Sequence, residues 1–185
     1  MGVLNFLFLL GGVLYAASTE LCESNTEVPS VTANDLGRYE LTSVVLGEGA
    51  SATVRLGFDR ETREKVAIKE ISKLRDQPEK AEKRRRAIEK ELDILRFLGS
   101  LEDRVNCAVL LGAAETDDSY FLVFEYKEAN LHSFIKQRRQ LHEEEARKLF
   151  KQLVQAVAFL HKHKVAHRDI KIEVSFWKLL RSSLV

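Results

Sequence analysis

Between Tyr39 and Ile71 the chain alternates short β-branched or apolar runs with turn-like residues: Tyr39 to Leu46, Ala52 to Phe58 and Lys65 to Ile71, with Asp59 to Glu64 as the second hairpin connection. That rhythm predicts three antiparallel strands. From Pro78 to Leu98 the period changes, and Ala81, Ile88, Leu92 and Leu95 recur at helical spacing. Val109 to Ala113 and Tyr120 to Glu125 return to strand-like runs around the turn-rich Glu115 to Ser119, which brings the sheet to five strands. A short helix is expected over Leu131 to Gln137. A longer one is expected over Glu143 to His161, with Ala146, Leu149, Phe150, Leu153, Val157 and Leu160 on one stripe. Glu143, Glu144 and Glu145 suit its N-terminus, and His161, Lys162 and His163 its C-terminus, through the helix dipole.

The ends follow different rules. Met1 to Ala17 carries no charged side chain, so residues 1–18 read as a signal-like or anchoring segment. It is short for a membrane span. Thr19 to Gly37 is polar and reads as a linker. The length of 185 residues suits one domain, and an apolar share of 45% suits a globular core. A formal net charge of +1 argues against an electrostatic role on nucleic acid or membrane surfaces. Two cysteines, Cys22 and Cys107, make neither a metal cluster nor a disulfide framework. The basic run Lys83 to Arg86 reads as a solvated helix face.

Candidate chemistry concentrates in Leu46 to Lys69, LGEGASATVRLGFDRETREKVAIK. Gly47 and Gly49, followed by small residues, let a hairpin approach a ligand closely and offer backbone N–H groups to phosphate oxygens. Lys69 lies inside the apolar run Val66-Ala67-Ile68-Lys69, where an ammonium needs an anion. A glycine turn beside a lysine snorkelling off a strand is the plainer description of the same residues. On the long helix Glu91 lies about 60° from the centre of the apolar stripe and Glu89 about 100°, so Glu91 is the better placed to face the sheet. One hundred residues after Lys69 comes His167-Arg168-Asp169-Ile170-Lys171.

The loop GEGASATV at 47–54, VAIK at 66–69 and HRDIK at 167–171, in this order and at these distances, resemble the eukaryotic protein kinases of serine/threonine type. Ser51 and Ala52 stand where that family's third glycine region falls. The resemblance implies an α+β, protein-kinase-like fold: a five-stranded antiparallel N-lobe sheet, a helix carrying Glu91, and the first helices of a truncated C-lobe. It implies ATP as cofactor, contacted by Leu46, Gly47, Glu48, Gly49, Val54, Ala67, Lys69, Phe124, Glu125 and Lys127. Phe124 would close the back of the adenine pocket, and the backbone from Glu125 to Lys127 would meet the adenine edge. Asp169 would be the catalytic base, Lys171 would touch the transferred phosphate, Glu91 would orient Lys69, and Arg168 would pair with a phosphorylated activation loop.

The resemblance covers about Tyr39 to Lys171, so a partial kinase domain is expected over 38–171 and an unrelated tail over 172–185. Where the family has a magnesium-binding asparagine this chain has Val174, and no DFG aspartate follows. Magnesium is expected for the family, yet valine offers no oxygen ligand, so no metal-binding residue is assigned. Two readings follow. One is a protein serine/threonine kinase that is inactive as this truncated chain; the other is a non-catalytic module that binds nucleotide or a partner protein. The expected partners are ATP and a protein substrate, with no nucleic acid. Membrane association through residues 1–17 and a secretory location stand against the cytoplasmic location that the resemblance implies.

Overall fold

The computed structural model describes residues 15–16, 36–49, 52–74, 77–104, 106–127, 129–130, 135–136, 140–168, 170 and 176–177. Nine strands are assigned among them: β1 (Tyr15–Ala16), β2 (Tyr39–Glu48), β3 (Thr53–Asp59), β4 (Lys65–Ser72), β5 (Leu110–Glu115), β6 (Ser119–Glu125), β7 (Ala129–Asn130), β8 (Val165–Ala166) and β9 (Phe176–Trp177). Two long helices, α1 (Pro78–Ser100) and α2 (Glu143–Lys162), complete the set. The five expected strands form one antiparallel sheet in the order β2-β3-β4-β6-β5. Of the expected short helix only Ile135 and Lys136 are described, and both are helical. No described helix is long and apolar enough to cross a membrane.

The sheet buries both faces, which is why β4 and β6 read as continuous apolar runs. On one face Val66, Ile68, Phe121, Val123 and Ala114 pack with Leu36 and Tyr39. On the other, Val54, Ala67, Leu122 and Phe124 meet Ile88, Leu92, Ile94, Leu95 and Leu98 of α1. The sheet curls enough that Tyr39, on edge strand β2, donates its hydroxyl to the Leu111 carbonyl on edge strand β5 at 3.1 Å. Gly112 permits this approach, because a Cβ there would stand 2.9 Å from the Tyr39 ring. Strand β2 shifts register twice between Leu41 and Gly47, and Val44 and Val45 are left exposed beside those irregularities.

Proline at the start and Glu79 in the first turn suit α1 to its place. Its basic run is a solvated face, with Arg85 and Arg86 paired to Glu82 and Arg85 also to Glu89. Of the expected stripe on α2, Leu149 and Leu160 are buried and Phe150 is 65% exposed; Ala156 and Phe159 are buried beside them, and Val154, outside the stripe, is 49% exposed. Only one narrow side of α2 meets the rest of the described chain, and Phe150 sits about 100° round the helix from Leu149. His163, placed at the helix end for the dipole, also packs its ring on Phe159 at 4.8 Å and edge-on to Phe97 of α1 at 6.0 Å. Asn106 donates to the Gln152 carbonyl at 3.2 Å, so the loop after α1 is tied to α2. Cys107 is buried there, and burial pushes its thiol up to about 12.

The turn after β3 is held by Asp59. Its carboxylate accepts from Arg38 Nε at 2.8 Å and from the backbone N–H groups of Glu61 at 2.9 Å and Thr62 at 3.4 Å. The Arg38 hydrogen bond, then these backbone donors, hold the carboxyl at about 2 against an ordinary 3.8. A depressed carboxyl stabilises the fold above its unfolded pKa and loses that contribution as pH falls through the folded value. Urea unfolding of the wild-type chain is therefore expected to lose stability between about pH 4 and pH 2. Asp59→Asn should flatten part of that acid limb, and an unchanged limb would remove Asp59 as its source.

Candidate active site

Cross-strand register gathers the candidate residues before any ligand is considered. Val54 on β3 lies opposite Lys69 on β4, and Lys69 lies opposite Leu122 on β6. Ala67 lies opposite Leu56 and Phe124. Directly opposed residues project from the same face of a sheet, so Val54, Ala67, Lys69, Leu122 and Phe124 share the α1 side. Phe124 is fully buried, and Leu46 packs from the edge of the same cluster.

Lys69 is the polar centre of this apolar face. Its Nζ donates to Glu91 Oε1 at 2.9 Å, with side-chain exposures of 5% and 7%. The sheet supplies the lysine, α1 supplies the glutamate, and Ile88, Leu92 and Leu95 around Glu91 fix the helix rotation. Glu89, the alternative, is exposed and paired with Arg85. A charge pair this dry survives only with good geometry and full pairing. It leaves a lysine with two further donors aimed by a fixed partner.

The glycine-containing hairpin joins the sheet at the same end. Gly47 pairs with Val54 and Glu48 with Thr53, while the Gly49 N–H donates to the Ala52 carbonyl at 2.9 Å. In this arrangement the Gly49 amide closes the hairpin. Ala50 and Ser51 at its tip lie outside the described residues. At the other end of the face Glu125 closes β6, and Lys127 donates to Glu125 Oε2 at 2.8 Å. Their side chains are thus tied to one another as the chain leaves the sheet.

The core continues from the sheet to the second helix: Cys107, Ala108, Phe159, Leu160 and Val165 belong to the same buried cluster as Val54 and Phe124. Strand β8 leads out of that cluster into His167, which is buried, and Arg168, which is exposed with a positive φ of 65°. Asp169 and Lys171 lie outside the described residues, as does Val174. The structure therefore brings Leu46, Gly47, Val54, Ala67, Lys69, Glu91 and Phe124 to one face and places Glu48, Gly49, Glu125 and Lys127 at its margins. Leu122 was missed from sequence. Its signal was its position two residues before Phe124 on the same strand.

Comparison with known proteins follows the same span. A model of the protein kinase domain matches residues 41–174. The chain is 40% identical over 142 residues to the human hormonally up-regulated neu tumor-associated kinase, covering 75% of this chain and 19% of that protein. It is 35% identical over 138 residues to the carbon catabolite-derepressing protein kinase of Saccharomyces cerevisiae, covering 75% of this chain and 20% of that protein. The chain thus spans about a fifth of the length of these relatives. Among solved structures, Rad53 1-466 in complex with AMP-PNP aligns with a TM-score of 0.59 and 26% identity, over 74% of this chain and 33% of that one.

Proposed function

The chain belongs to the protein kinase family, and from that premise we propose that it binds ATP on the Lys69 face and carries the serine/threonine kinase apparatus up to the HRDIK loop. The carrying observation is the buried Lys69–Glu91 pair at 2.9 Å. An ammonium placed in an apolar sheet and aimed by a second buried charge is costly as mere structure. It is well suited to holding phosphate oxygens. The AMP-PNP bound to the Rad53 relative supports the nucleotide assignment.

The adenine ring lies against the sheet face at Val54 and Ala67 with Phe124 at its back, and the backbone from Glu125 to Lys127 reads its edge. Lys69 holds the α- and β-phosphates, oriented by Glu91. The backbone around Gly47 covers the phosphates. Asp169 accepts the proton of a protein hydroxyl while Lys171 meets the transferred phosphoryl group.

A metal step does not fit these residues as well. Val174 presents hydrocarbon where the family places an oxygen ligand for magnesium, a hard cation that selects oxygen. Phosphoryl transfer depends mainly on positioning and charge stabilisation. We therefore expect this chain to retain nucleotide binding with weak turnover, which favours the binding-module reading for the chain as it stands.

The test is a thermal melt of the whole chain with and without ATP, followed by a phosphorylation assay on a generic basic protein. A ligand that binds only the folded state adds about 2.7 kcal/mol at one hundred times its dissociation constant. An ATP-dependent rise in Tm with little transfer is the expected result. Transfer abolished by Asp169→Asn would instead make the chain an enzyme in its own right, and no rise in Tm would remove the nucleotide assignment.

A further inference from the structure

Strand β8 is two residues long and stands between two residues in the left-handed region: Lys164 at φ 60° and Arg168 at φ 65°. Neither is glycine, so the backbone on both sides of Val165–Ala166 is held in a conformation that side chains disfavour. Such geometry persists only when surrounding contacts over-determine it. A two-residue strand cannot do this alone, because its N–H and C=O groups need partners and one side chain fixes little backbone. Val165 is 1% exposed and joins the main core. That anchors the strand from below and leaves its edge to be satisfied.

The edge is occupied by the far end of the chain. Tyr15 pairs antiparallel with Ala166 and Ala16 with Val165, and β1 also lies against α1. Among the described residues no other strand pairs with β8. The partner thus comes from about 150 residues upstream in sequence, from the same apolar run that the sequence alone reads as a leader or anchor.

We infer that the Tyr15–Ala16 stretch is a brace for the loop that carries His167 and Arg168, holding that loop by completing the edge of β8. The occupant of the edge is this chain's own segment. The brace works through backbone pairing and so depends on an extended conformation at residues 15 and 16 rather than on which apolar side chains surround them. A cut between Ala16 and Leu36 would turn an intramolecular strand into a dissociable peptide, lowering its effective concentration at β8. The loop would then open more often, which makes the N-terminal stretch a control point for whatever the loop does. The inference does not require the nucleotide reading.

Two measurements on the full-length chain test it. In an antiparallel pair, hydrogen-bonded and non-hydrogen-bonded positions alternate, so of Tyr15→Pro and Ala16→Pro one removes a donor from the ladder. That variant should exchange the amides of residues 165–168 roughly tenfold faster or more. Leu10→Pro, in the same apolar run, should leave them unchanged. Independently, Tyr15→Cys with Ala166→Cys should form an intramolecular disulfide on mild oxidation, since paired strand positions lie within disulfide reach. Ala16→Cys with Ala166→Cys, one residue out of register and so on opposite faces of the pair, should not. Unchanged exchange in both proline variants, or equal cross-linking of the two cysteine pairs, would overturn the inference. If a proline variant fails to fold while Leu10→Pro folds, the brace is required for the fold itself, and the cysteine pairs still report its register.

Discussion

Replacing Lys69 by methionine is expected to destabilise the ligand-free chain by about 3–5 kcal/mol, because it strands a buried carboxylate. Glu91 sits 5% exposed among Ile88, Leu92 and Leu95, so the lost ammonium leaves its carboxylate largely desolvated. For a domain of this size the fall in Tm should be on the order of 10 °C. A second change, Glu91→Leu on top of Lys69→Met, should return most of the lost stability, since a well-packed apolar replacement of a buried pair is often neutral or better. The double variant separates fold from function. Its melt should recover while its response to ATP stays absent, because the cation proposed to face the phosphates is gone. Recovery of both would remove Lys69 as a phosphate contact, and recovery of neither would mean that the pair is needed to seat α1 on the sheet.

Gly57→Ala should cost about 1–3 kcal/mol, the range for forcing extra volume into a packed core. Gly57 lies on β3 opposite Leu41 of β2 and Val66 of β4. A Cβ there would press against the Ile68 side chain and stand 2.7 Å from the Glu40 carbonyl oxygen. The first contact can be relieved by trimming Ile68, whereas the second involves backbone within the sheet and can be relieved only by moving β2. Denaturant melts of Gly57→Ala alone and with Ile68→Val should therefore show only partial recovery in the double variant. Full recovery would show that the side chain, and not the backbone, sets the limit. Strand β2 also carries Leu46, Gly47 and Glu48, so displacing it should weaken nucleotide binding as well as the fold.

The candidate site was legible unevenly, for reasons that individual residues make plain. Lys69 and Glu91 could be picked out because each breaks a local pattern: an ammonium inside an apolar strand, and a glutamate near the apolar stripe of a helix. Leu122 could not, since a leucine in a run of apolar residues announces nothing until cross-strand register sets it beside Lys69. On α2 the sequence offers a broad apolar arc, and burial chooses Leu149, Ala156, Phe159 and Leu160 while leaving Phe150 and Val154 in water. His163 suited the helix dipole, yet its ring is packed between Phe159 and Phe97. The Gly49 amide, a candidate phosphate donor, closes its own hairpin.

From the sequence by itself come the five-strand sheet, the two long helices, their order and the kinase family, because periodicity and short motifs are local properties carried by neighbouring residues. The two-residue strands β1, β7, β8 and β9 were not foreseen. Which carboxylate reaches Lys69, which side of α2 is dry, how Tyr39 ties one sheet edge to the other, and where Tyr15–Ala16 finds its partner at Val165–Ala166 were decided by tertiary structure. These pairings join residues from about 20 to 150 positions apart. Such contacts are selected by the competition of the whole chain for one core and one set of backbone partners, and no single stretch of sequence records the outcome.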